Sequence, residues 1–285
     1  SLGDEGLWDK FLKRGTEKCI PFPAGFNVLN AMMNGGTVVG ELTAIGALTS
    51  VGKSTMVSNL VIGYVEESRK KVGCVFLEAD IGESIENLVS VSSKTRITDI
   101  AHENRDYVAY KKTYDDLTST GALHLLDHRG SLDSEELFSK IQYMIKGLDC
   151  DIIIIDPLQA GVKSNENKAI DDFMDRCLKM IKNTEVSMII VSHMRQPPQG
   201  RGPHAVDEYD LKGSSSINQI ATNTILLSRD KLAEDDYARN CTQVQLVKCR
   251  RTGRTGVAGW LFYENNTSRL VATQAPEVKK ANAHD

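Results

Sequence analysis

Residues 47–55, with the sequence ALTSVGKST, combine glycine, hydroxyl side chains and a lysine in the spacing of a phosphate-binding loop. In such a loop, backbone N–H groups and the start of the following helix point at an anion. Lys53 would then reach the β- and γ-phosphates of a nucleotide, and the Ser54 hydroxyl would hold Mg²⁺. The residues expected around the phosphates are Thr49, Ser50, Val51, Gly52, Lys53, Ser54 and Thr55.

The loop pattern is incomplete, because Ala47 stands where the first glycine is expected and Gly46 lies one place earlier. Its setting still favours the function, since a β-like run at residues 38–45 precedes the loop and a helical run at residues 56–69 follows it. A glycine and serine turn that carries a lone lysine is the alternative. The sequence predicts a site for ATP, or another NTP or dNTP, together with Mg²⁺.

A carboxylate follows a run of four isoleucines at residues 152–155. Only a strand that is buried on both faces tolerates such a run, and ligands of open α/β sheets bind at the carboxyl ends of the strands. Asp156 is therefore expected to hold Mg²⁺ through a shell of water. The alternative is an aspartate that simply turns the chain before Pro157.

A second carboxylate, Glu78, ends the β-like run at residues 72–78, which follows the helical run at residues 56–69. In a sheet of this type it would face the γ-phosphate and polarise the attacking water. Asp80, which strand alternation places on the same face, is the competing candidate. A solvated acid at a strand end is the remaining alternative, and Glu78 is preferred.

His193 ends the β-like run after the isoleucine strand, in the sequence Val-Ser-His. A polar side chain there can sense the γ-phosphate and pass that signal to the following loop. Taken alone, a histidine at a strand end is more often a hydrogen-bonded structural residue. The position of this strand in the chain favours the sensor.

Residues 248–254 contain four basic side chains in seven, and glycine turns follow. Arg250 is the candidate for an arginine finger, a residue that one subunit inserts into the nucleotide site of its neighbour to stabilise transition-state charge. A solvated basic hairpin is the alternative. If Arg250 is a finger, hydrolysis depends on assembly.

The elements that must position these residues alternate between strand-like and helical runs from residue 38 to residue 193. This alternation predicts an α/β fold with a mostly parallel sheet and helices on both faces, and glycine turns farther on predict a β-rich C-terminal edge. The predicted helices span residues 56–69, 83–94, 102–119, 132–146 and 167–183, and the predicted strands span residues 38–45, 72–78, 123–126, 151–156, 186–193, 224–228, 242–249, 259–263 and 270–272.

Three parts are expected along the chain: an N-terminal extension or linker helix at residues 1–21, one ATPase domain at residues 22–275 and a flexible tail at residues 276–285. Apolar side chains at helical spacing in residues 4–14 predict an amphipathic helix. Its packing on its own domain is favoured over docking on a neighbouring subunit. The chain starts Ser-Leu-Gly without a methionine or a signal-peptide pattern, so we expect an excised or tagged segment.

Composition narrows the class of protein. With 41% hydrophobic and 25% charged residues the chain is typical of a soluble globular protein, and no apolar run approaches the roughly 20 residues that span a bilayer. The six cysteines show no Cys-x-x-Cys spacing, which favours free thiols over disulfides or zinc. A net charge of −4 argues against a uniformly basic surface and leaves a local basic channel for nucleic acid open.

In the order of these motifs, the chain resembles the replicative hexameric helicases of the DnaB family. The resemblance covers about residues 22–272 and rests on the runs TSVGKST, FLE, IDPLQ, SH and KCR. The runs SH, LKGS and KCRxTGxTGxAG are similar to the helicase domain of phage primase–helicases and of Twinkle. This resemblance implies a RecA-like ATPase that acts in DNA replication and assembles as a ring, with a hexamer expected.

The resemblance also implies roles for single residues. Lys53 matches the family's phosphate ligand, and Ser54 and Asp156 match its Mg²⁺ ligands. Glu78 matches the catalytic base, and His193 matches the γ-phosphate sensor. Lys248 and Arg250 match residues that reach across the subunit interface. Arg229 and Tyr263 match a pair that sandwiches the nucleotide base by stacking and cation–π contact. For Tyr263 an ordinary aromatic residue on a β-edge is the alternative.

The DNA-binding segment of the family, which faces the central channel, matches residues 194–219. The candidate DNA contacts are Arg195, Arg201, Lys212, Gly213 and Ser214. Three acids, Asp207, Glu208 and Asp210, cancel the three positive charges, and Asn218 stands where the phage relatives carry a base. Backbone amides that follow Lys212 could still donate to DNA phosphates.

The implied function is a ring-forming replicative DNA helicase that couples NTP hydrolysis to translocation on single-stranded DNA and to unwinding of a forked duplex. The expected protein partners are the primase and DNA polymerase of a replisome. No association with a membrane is expected. The expected compartment is the bacterial host cytoplasm of a phage, with the mitochondrial matrix as the alternative. No primase domain or zinc-binding cysteine pattern is recognisable, so a primase is expected in a preceding part of the protein or not at all.

Two rival functions remain open. A RecA- or KaiC-like DNA-dependent ATPase would share the core but would not unwind duplex DNA. A loader or scaffold would bind nucleotide without hydrolysing it, and the presence of Glu78 and Arg250 argues against this second rival.

Overall fold

The computed structural model of the chain describes residues 5–12, 16, 18–48, 51–126, 134–162, 167–182, 184–195 and 201–277. The strands are β1 (Cys19–Ile20), β2 (Thr37–Val38), β3 (Leu42–Ala47), β4 (Val72–Phe76), β5 (Leu123–Leu125), β6 (Ile152–Asp156), β7 (Ser187–His193), β8 (Asn223–Arg229), β9 (Cys241–Cys249), β10 (Gly256–Glu264) and β11 (Arg269–Thr273). The helices are α1 (Glu5–Leu12), α2 (Asn27–Met32), α3 (Lys53–Glu66), α4 (Ile81–Ser93), α5 (Tyr107–Thr118), α6 (Ser134–Lys146), α7 (Asn167–Ile181), α8 (Ser214–Ile220) and α9 (Asp236–Asn240).

Nine of these strands form one sheet, in the order β11-β10-β9-β8-β3-β7-β6-β4-β5. The strands from β8 to β5 in this order run parallel, and β9, β10 and β11 add an antiparallel edge. The predicted α/β fold with a mostly parallel sheet and a β-rich C-terminal edge is therefore confirmed. Because β3, β4, β6 and β7 are parallel, the segments that follow them emerge at the same edge of the sheet.

The four isoleucines of β6 explain why this strand lies in the centre of the parallel part. Ile152 and Ile154 belong to the core on one face of the sheet, Ile153 and Ile155 belong to the core on the other face, and all four are fully buried. Each such side chain contributes about 1.5–3 kcal/mol through burial. The predicted burial on both faces is confirmed.

Helices cover both faces, as predicted. Helices α3 and α4 contribute Leu60 and Leu88 to one core, and α6 and α7 contribute Phe138 and Phe173 to the other. The rings of these two phenylalanines lie 5.0 Å apart between their centroids. The two cores fix the sheet from both sides, so the strand ends that carry the polar residues are held rigidly.

Some predicted boundaries are wrong. The helix predicted at residues 102–119 is a 3₁₀ turn, His102–Asn104, followed by α5, because the side chain of Asp106 accepts a hydrogen bond from the N–H of Ala109 and caps α5 there. Helices α2, α8 and α9 and the small β1–β2 sheet were not predicted. These helices have five to seven residues, which is too short for a helical period to be recognised.

The predicted amphipathic helix at the N-terminus is present as α1. Its apolar side chains Leu7, Trp8, Phe11 and Leu12 are 51–61% exposed. The predicted packing of this helix on its own domain is therefore wrong, and an apolar stripe is left facing outwards.

Two expectations from composition can be checked in the described residues. None of the six cysteines is joined in a disulfide, as predicted, and five of them are buried. Among the helices described, none has the length and apolar character needed to cross a membrane.

Candidate active site

A pocket of about 550 Å³ opens at the carboxyl ends of the parallel strands, beside the N-terminus of α3. Lys53, Glu78, Asp156 and His193 all line it, although they lie far apart in the sequence. Each of them follows or ends a different parallel strand, and such strands converge at this edge. The fold thus brings the predicted catalytic residues of one chain together.

The phosphate loop leads directly into α3. Gly52 precedes the helix with a φ of 93°, a left-handed conformation that glycine adopts at little cost. Ser54 and Thr55 line the pocket in the first turn of α3, where backbone N–H groups have no partner within the helix and can bind an anion. Val51 is buried, whereas Thr49 and Ser50 lie outside the described residues.

The displaced glycine of the loop pattern has a packing role. A Cβ atom on Gly46 would lie 2.3 Å from Leu211 Cδ2 and 2.8 Å from Leu226 Cδ2. Gly46 lies within β3, and Ala47 ends that strand as a buried residue. The glycine therefore serves close packing between β3 and the segment around Leu211.

Lys53 lies between the two carboxylates of the pocket. Its Nζ atom is 2.9 Å from Asp156 Oδ1 and 3.5 Å from Glu78 Oε2. Glu78 Oε2 also lies 3.4 Å from His193 Nε2. The contacts thus run from Asp156 through Lys53 and Glu78 to His193. A lysine, a carboxylate for Mg²⁺ and a carboxylate for water are groups that phosphoryl transfer uses around a γ-phosphate.

Asp156 and Ser54 fit a magnesium ion. Burial raises the pKa of Asp156, and the Lys53 ammonium opposes that shift. Asp156 Oδ1 lies 2.9 Å from Lys53 Nζ, and the Ser54 residue lines the same pocket. A carboxylate and a hydroxyl form an oxygen-only donor set, which Mg²⁺ prefers.

The geometry favours Glu78 over Asp80 as the group that polarises water. Glu78 lines the pocket and contacts both Lys53 and His193. Asp80 is the N-cap of α4, and its Oδ1 accepts a hydrogen bond from the N–H of Gly82 at 2.7 Å. Asp80 is thus engaged in holding a helix.

His193 is poised to report on the pocket. Burial and the nearby Lys53 ammonium lower the pKa of His193, while Glu78 opposes the shift. Its backbone N–H donates to Gln159 Oε1 at 3.1 Å. Gln159 ends the run IDPLQ, and the sequence indicated no role for its side chain. The contact with His193 is visible only in the fold.

A smaller cavity of about 150 Å³, lined by Arg229 and Tyr263, shares Gly52 and Arg229 with the main pocket. Arg229 donates to Asn240 Oδ1 at 2.9 Å, so its guanidinium is held in place. Arg96 lies over the Tyr263 ring, with Cζ 5.8 Å from the ring centroid. The predicted base-binding pair lines one cavity, but the cation on the tyrosine face is Arg96, which no pattern in the sequence had indicated.

Arg250 lies at the opposite end of the sheet. The strand β8 begins at Asn223, which pairs with Cys249, and it ends at Arg229, which lines the pocket. Seven residues of strand correspond to roughly 20 Å. Arg250 therefore does not reach the pocket of its own chain.

The four basic side chains in residues 248–254 contact two helices near their C-terminal ends, two side chains at each helix. Lys248 and Arg250 donate to the carbonyl oxygens of Asn218 and Gln219 at the end of α8. Arg254 donates to a carbonyl of α2, and Arg251 donates to the carbonyls that follow α2. Positive side chains are stabilised at helix C-termini. Burial, with Arg250 adding, lowers the pKa of Lys248.

The predicted DNA-binding residues differ in availability. Arg195 and Lys212 are exposed. Arg201 is paired with Asp207 at 3.0 Å and with Asp210 at 3.2 Å, so two acids already balance its charge. Gly213 has a φ of 84° and precedes α8, which starts at Ser214, and residues 196–200 lie outside the described residues.

The chain is similar to several known proteins. The family model of the DnaB-like helicase C-terminal domain matches residues 22–271. The chain is 29% identical over 245 residues to a DNA helicase/primase of Enterobacteria phage T3, with 81% of this chain and 42% of that protein covered. It is 24% identical over 186 residues to a replicative DNA helicase DnaB of Mycobacterium intracellulare, with 63% and 32% covered. The chain thus spans less than half the length of either relative.

Solved structures are similar in fold. A DnaB-like replicative helicase, described with its interactions with primase, superposes with a TM-score of 0.77 at 21% identity and covers 94% of this chain and 66% of that one. The ATPase domain of G40P also reaches 0.77 at 21% identity, with 95% and 98% covered. A KaiC-like protein of Pyrococcus horikoshii reaches 0.62 at 14% identity, with 90% and 99% covered. The RecA-like fold is thereby confirmed.

Proposed function

The chain belongs to the family of the DnaB-like helicase C-terminal domain, and from this premise we propose that it is the motor of a ring-forming replicative DNA helicase. It hydrolyses ATP or a related triphosphate while it moves along single-stranded DNA and separates the duplex ahead. Residues 22–275 form the ATPase domain, and α1 in residues 1–21 serves to connect copies, since its apolar side chains are exposed.

One chain supplies most of each nucleotide site. Lys53 binds the β- and γ-phosphates, and Glu78 orients the attacking water and takes up its proton. Ser54 and Asp156 hold Mg²⁺, which supplies positive charge to the phosphates when it is bound. Tyr263, Arg229 and Arg96 hold the base by stacking and cation–π contact.

The observation that carries this proposal is the distance between the two halves of the site. Arg250 lies at the amino end of the parallel strands, about 20 Å from the pocket, and in the described part of the chain its exposed guanidinium donates to the carbonyl oxygen of Gln219. A finger in this position completes the pocket of a neighbouring copy and not its own. Hydrolysis then requires a ring, and a hexamer is the ring expected for this family.

DNA lies along the segment from Arg195 to the start of α8. Arg195 and Lys212 contact phosphates, and the backbone amides at Gly213 and Ser214 add hydrogen bonds. Arg201 contributes little, because Asp207 and Asp210 hold it. With few free cations, binding is salt-dependent with a shallow slope.

The motor works with the other enzymes of a replisome in the cytoplasm of a bacterial host. One solved relative is described with its interactions with primase, which supports a primase as the first partner to test. The phage relative is a helicase/primase, so the primase is expected either on a further part of this protein or as a separate chain.

A forked duplex with one labelled strand tests the function. The purified chain is expected to separate the strands with ATP and Mg²⁺ and to fail with a non-hydrolysable analogue. A Lys53→Met variant is the matched control, because it keeps the fold and removes the ammonium that binds the phosphates. Hydrolysis by an assembled ring without strand separation, or strand exchange on filaments, would instead support a RecA- or KaiC-like ATPase.

A further inference from the structure

The amide of Gln159 joins three segments of the chain at the edge of the pocket. Gln159 lies in the 3₁₀ turn Leu158–Gly161, which follows β6 and Asp156. Its Nε2 donates to Ser192 Oγ at 2.8 Å and to the carbonyl oxygen of Lys212 at 3.2 Å. Its Oε1 accepts the backbone N–H of His193 at 3.1 Å.

The orientation of this amide is determined by its partners. The N–H of His193 can only donate and the carbonyl of Lys212 can only accept, so exchanging Oε1 and Nε2 would break both bonds. Ser192 Oγ accepts from Gln159 and in turn lies 3.2–3.3 Å from the carbonyl oxygens of His193 and Lys212. Both donor hydrogens and the acceptor of Gln159 are therefore in use.

These partners belong to the two functions that a motor must connect. His193 contacts Glu78 in the nucleotide pocket, and Lys212 leads through Gly213 into α8 on the side proposed to bind DNA. A backbone bond from the N–H of Lys212 to the carbonyl of His193 at 2.9 Å runs beside the amide contacts. Gln159 is the side chain that holds this junction to the strand carrying Asp156.

The far end of α8 extends the connection. Asn218 and Gln219, near its C-terminus, accept hydrogen bonds from Lys248 and Arg250. A helix of seven residues is about 10 Å long, so α8 spans the distance between Lys212 and these two carbonyls. A displacement at Lys212 therefore reaches the residues that complete the site of the next subunit.

We propose that Gln159 is a positioning residue that couples the nucleotide state sensed at His193 to the placement of Lys212 and α8. This inference rests on the proposed function. When the imidazole of His193 exchanges Glu78 for a phosphate, the backbone at His193 shifts, and Gln159 passes the shift to Lys212. Without the amide, the two sites still bind their ligands but no longer bias one another.

A Gln159→Met variant tests the proposal, because methionine has similar length and lacks the hydrogen bonds. Two quantities are measured: the stimulation of hydrolysis by single-stranded DNA, and the ratio of DNA affinities with a non-hydrolysable triphosphate and with the diphosphate. Coupling between sites is typically worth about 5–150-fold, and we expect the variant to bring both ratios close to one. The KM for nucleotide without DNA is expected to stay within about threefold of wild type.

Two further variants separate coupling from a loss of structure. Gln159→Glu keeps the acceptor for the His193 N–H but has no donor for Ser192 or Lys212, so it should behave like Gln159→Met. Gln274→Met, at an exposed position outside the junction, should leave both ratios unchanged. A parallel loss of melting temperature, nucleotide affinity and stimulation in Gln159→Met would overturn the proposal in favour of a purely structural role.

The outcome also distinguishes this inference from the proposed function. If DNA does not stimulate hydrolysis by the wild-type chain, the proposed function fails and the inference fails with it. If the wild type is stimulated and Gln159→Met is stimulated equally, only the inference is wrong. A double variant with Ser192→Ala adds a further check, because partners in one network should show non-additive effects on the coupling ratio.

Discussion

The two ends of the parallel sheet hold their charged residues in different ways. At the carboxyl end, Lys53 is balanced by Asp156 and Glu78 within one pocket. At the amino end, Lys248 and Arg250 contact backbone carbonyls of α8 instead of acids. The first set is neutralised inside the chain, whereas the second keeps its positive charge.

On the proposed function, this difference means that the chain carries one nearly complete nucleotide site and, at the other end, a residue of the site in a neighbouring copy. Carbonyls at a helix C-terminus hold a guanidinium weakly, about 0.3–1 kcal/mol at the surface. A phosphate oxygen forms a stronger, charge-assisted bond, so the proposed finger would exchange the carbonyl of Gln219 for a nucleotide phosphate. In the proposed ring, the amino end of one copy would then serve the carboxyl end of the next.

Removing the finger should have the largest effect. Arg250→Ala is expected to lower the rate of hydrolysis by about 10³–10⁵-fold while nucleotide binding is retained, because the finger stabilises only the transition state. Hydrolysis and the Kd of a fluorescent nucleotide measure the two effects. Arg254→Ala is the matched control, since this exposed arginine at the same end donates to α2.

Mixed rings sharpen the same prediction. Arg250→Ala subunits and Glu78→Gln subunits are each expected to hydrolyse slowly, but a mixed ring would contain some sites with an intact base and an intact finger. Partial recovery of hydrolysis on mixing is expected. A wild-type monomer that hydrolyses ATP, together with no recovery on mixing, would contradict a shared site.

The carboxyl end is tested by Glu78→Gln, which should lower hydrolysis by about 10²–10⁴-fold through loss of the base. Nucleotide binding should not weaken, because glutamine removes a negative charge that repels phosphates. Asp80→Asn is the control, and it should change hydrolysis little because its side chain only caps α4. Equal losses in both variants would show that the base has been misassigned.

The base cavity should give a moderate effect. Tyr263→Ala is expected to weaken nucleotide binding by about tenfold, and Arg96→Met by several-fold, because a cation–π contact is worth about 0.5–2 kcal/mol. Titration of a fluorescent nucleotide measures both. Val257→Ala, an exposed apolar residue on the same strand as Tyr263, is the control. If Arg96→Met has no effect, the cation on the tyrosine face plays no part in binding the base.

The smallest expected effect is a loss of folding stability at acid pH, which arises from His204 in the loop that leads to Lys212. His204 packs on Trp260 and hydrogen-bonds to Ser228, and burial lowers its pKa, with Asp230 opposing. Below the ordinary histidine pKa of about 6.5 the unfolded chain binds the proton first, so this histidine makes stability fall as the pH falls.

The measurement is the melting temperature at about pH 7.5 and about pH 5.5, either side of the histidine pKa. His204→Asn should show a drop that is smaller by about 1–3 °C than that of the wild type. His102→Asn, at an exposed position, should follow the wild type. An unchanged drop in His204→Asn would show that acid acts elsewhere in the chain.

Much of the fold could be predicted, because it is encoded in local patterns. The isoleucines of β6 specify a strand buried on both faces whatever packs against it. The helical run predicted at residues 56–69 is α3, which begins three residues earlier at Lys53, because Gly52 precedes it in a left-handed conformation. Short helices such as α8 were missed, because seven residues contain too few turns for a period to emerge.

Residues of the candidate site could be predicted where a parallel strand ends in, or is followed by, a single polar residue. The contacts of Lys53 with Asp156 and Glu78 follow from parallel strands that end at a common edge. For Arg201, the sequence predicted only that acids in the segment balance the basic charges. It did not predict the ion pairs of Arg201 with Asp207 and Asp210. Whether these charges meet depends on how the loop folds, which composition does not reveal.

The sequence by itself predicted a phosphate-binding loop, and it determined that the sheet is mostly parallel and that the chain belongs to the family of the DnaB-like helicase C-terminal domain, because contiguous motifs carry that information. Only the tertiary structure decided that Arg96 covers Tyr263, that Gln159 joins His193 to Lys212 and that Arg250 lies away from its own pocket. Each of these depends on residues that are distant in the chain and are brought together by packing around two cores. Side-chain contacts of this kind follow from where strands and helices end in space, and no local pattern of residues specifies that.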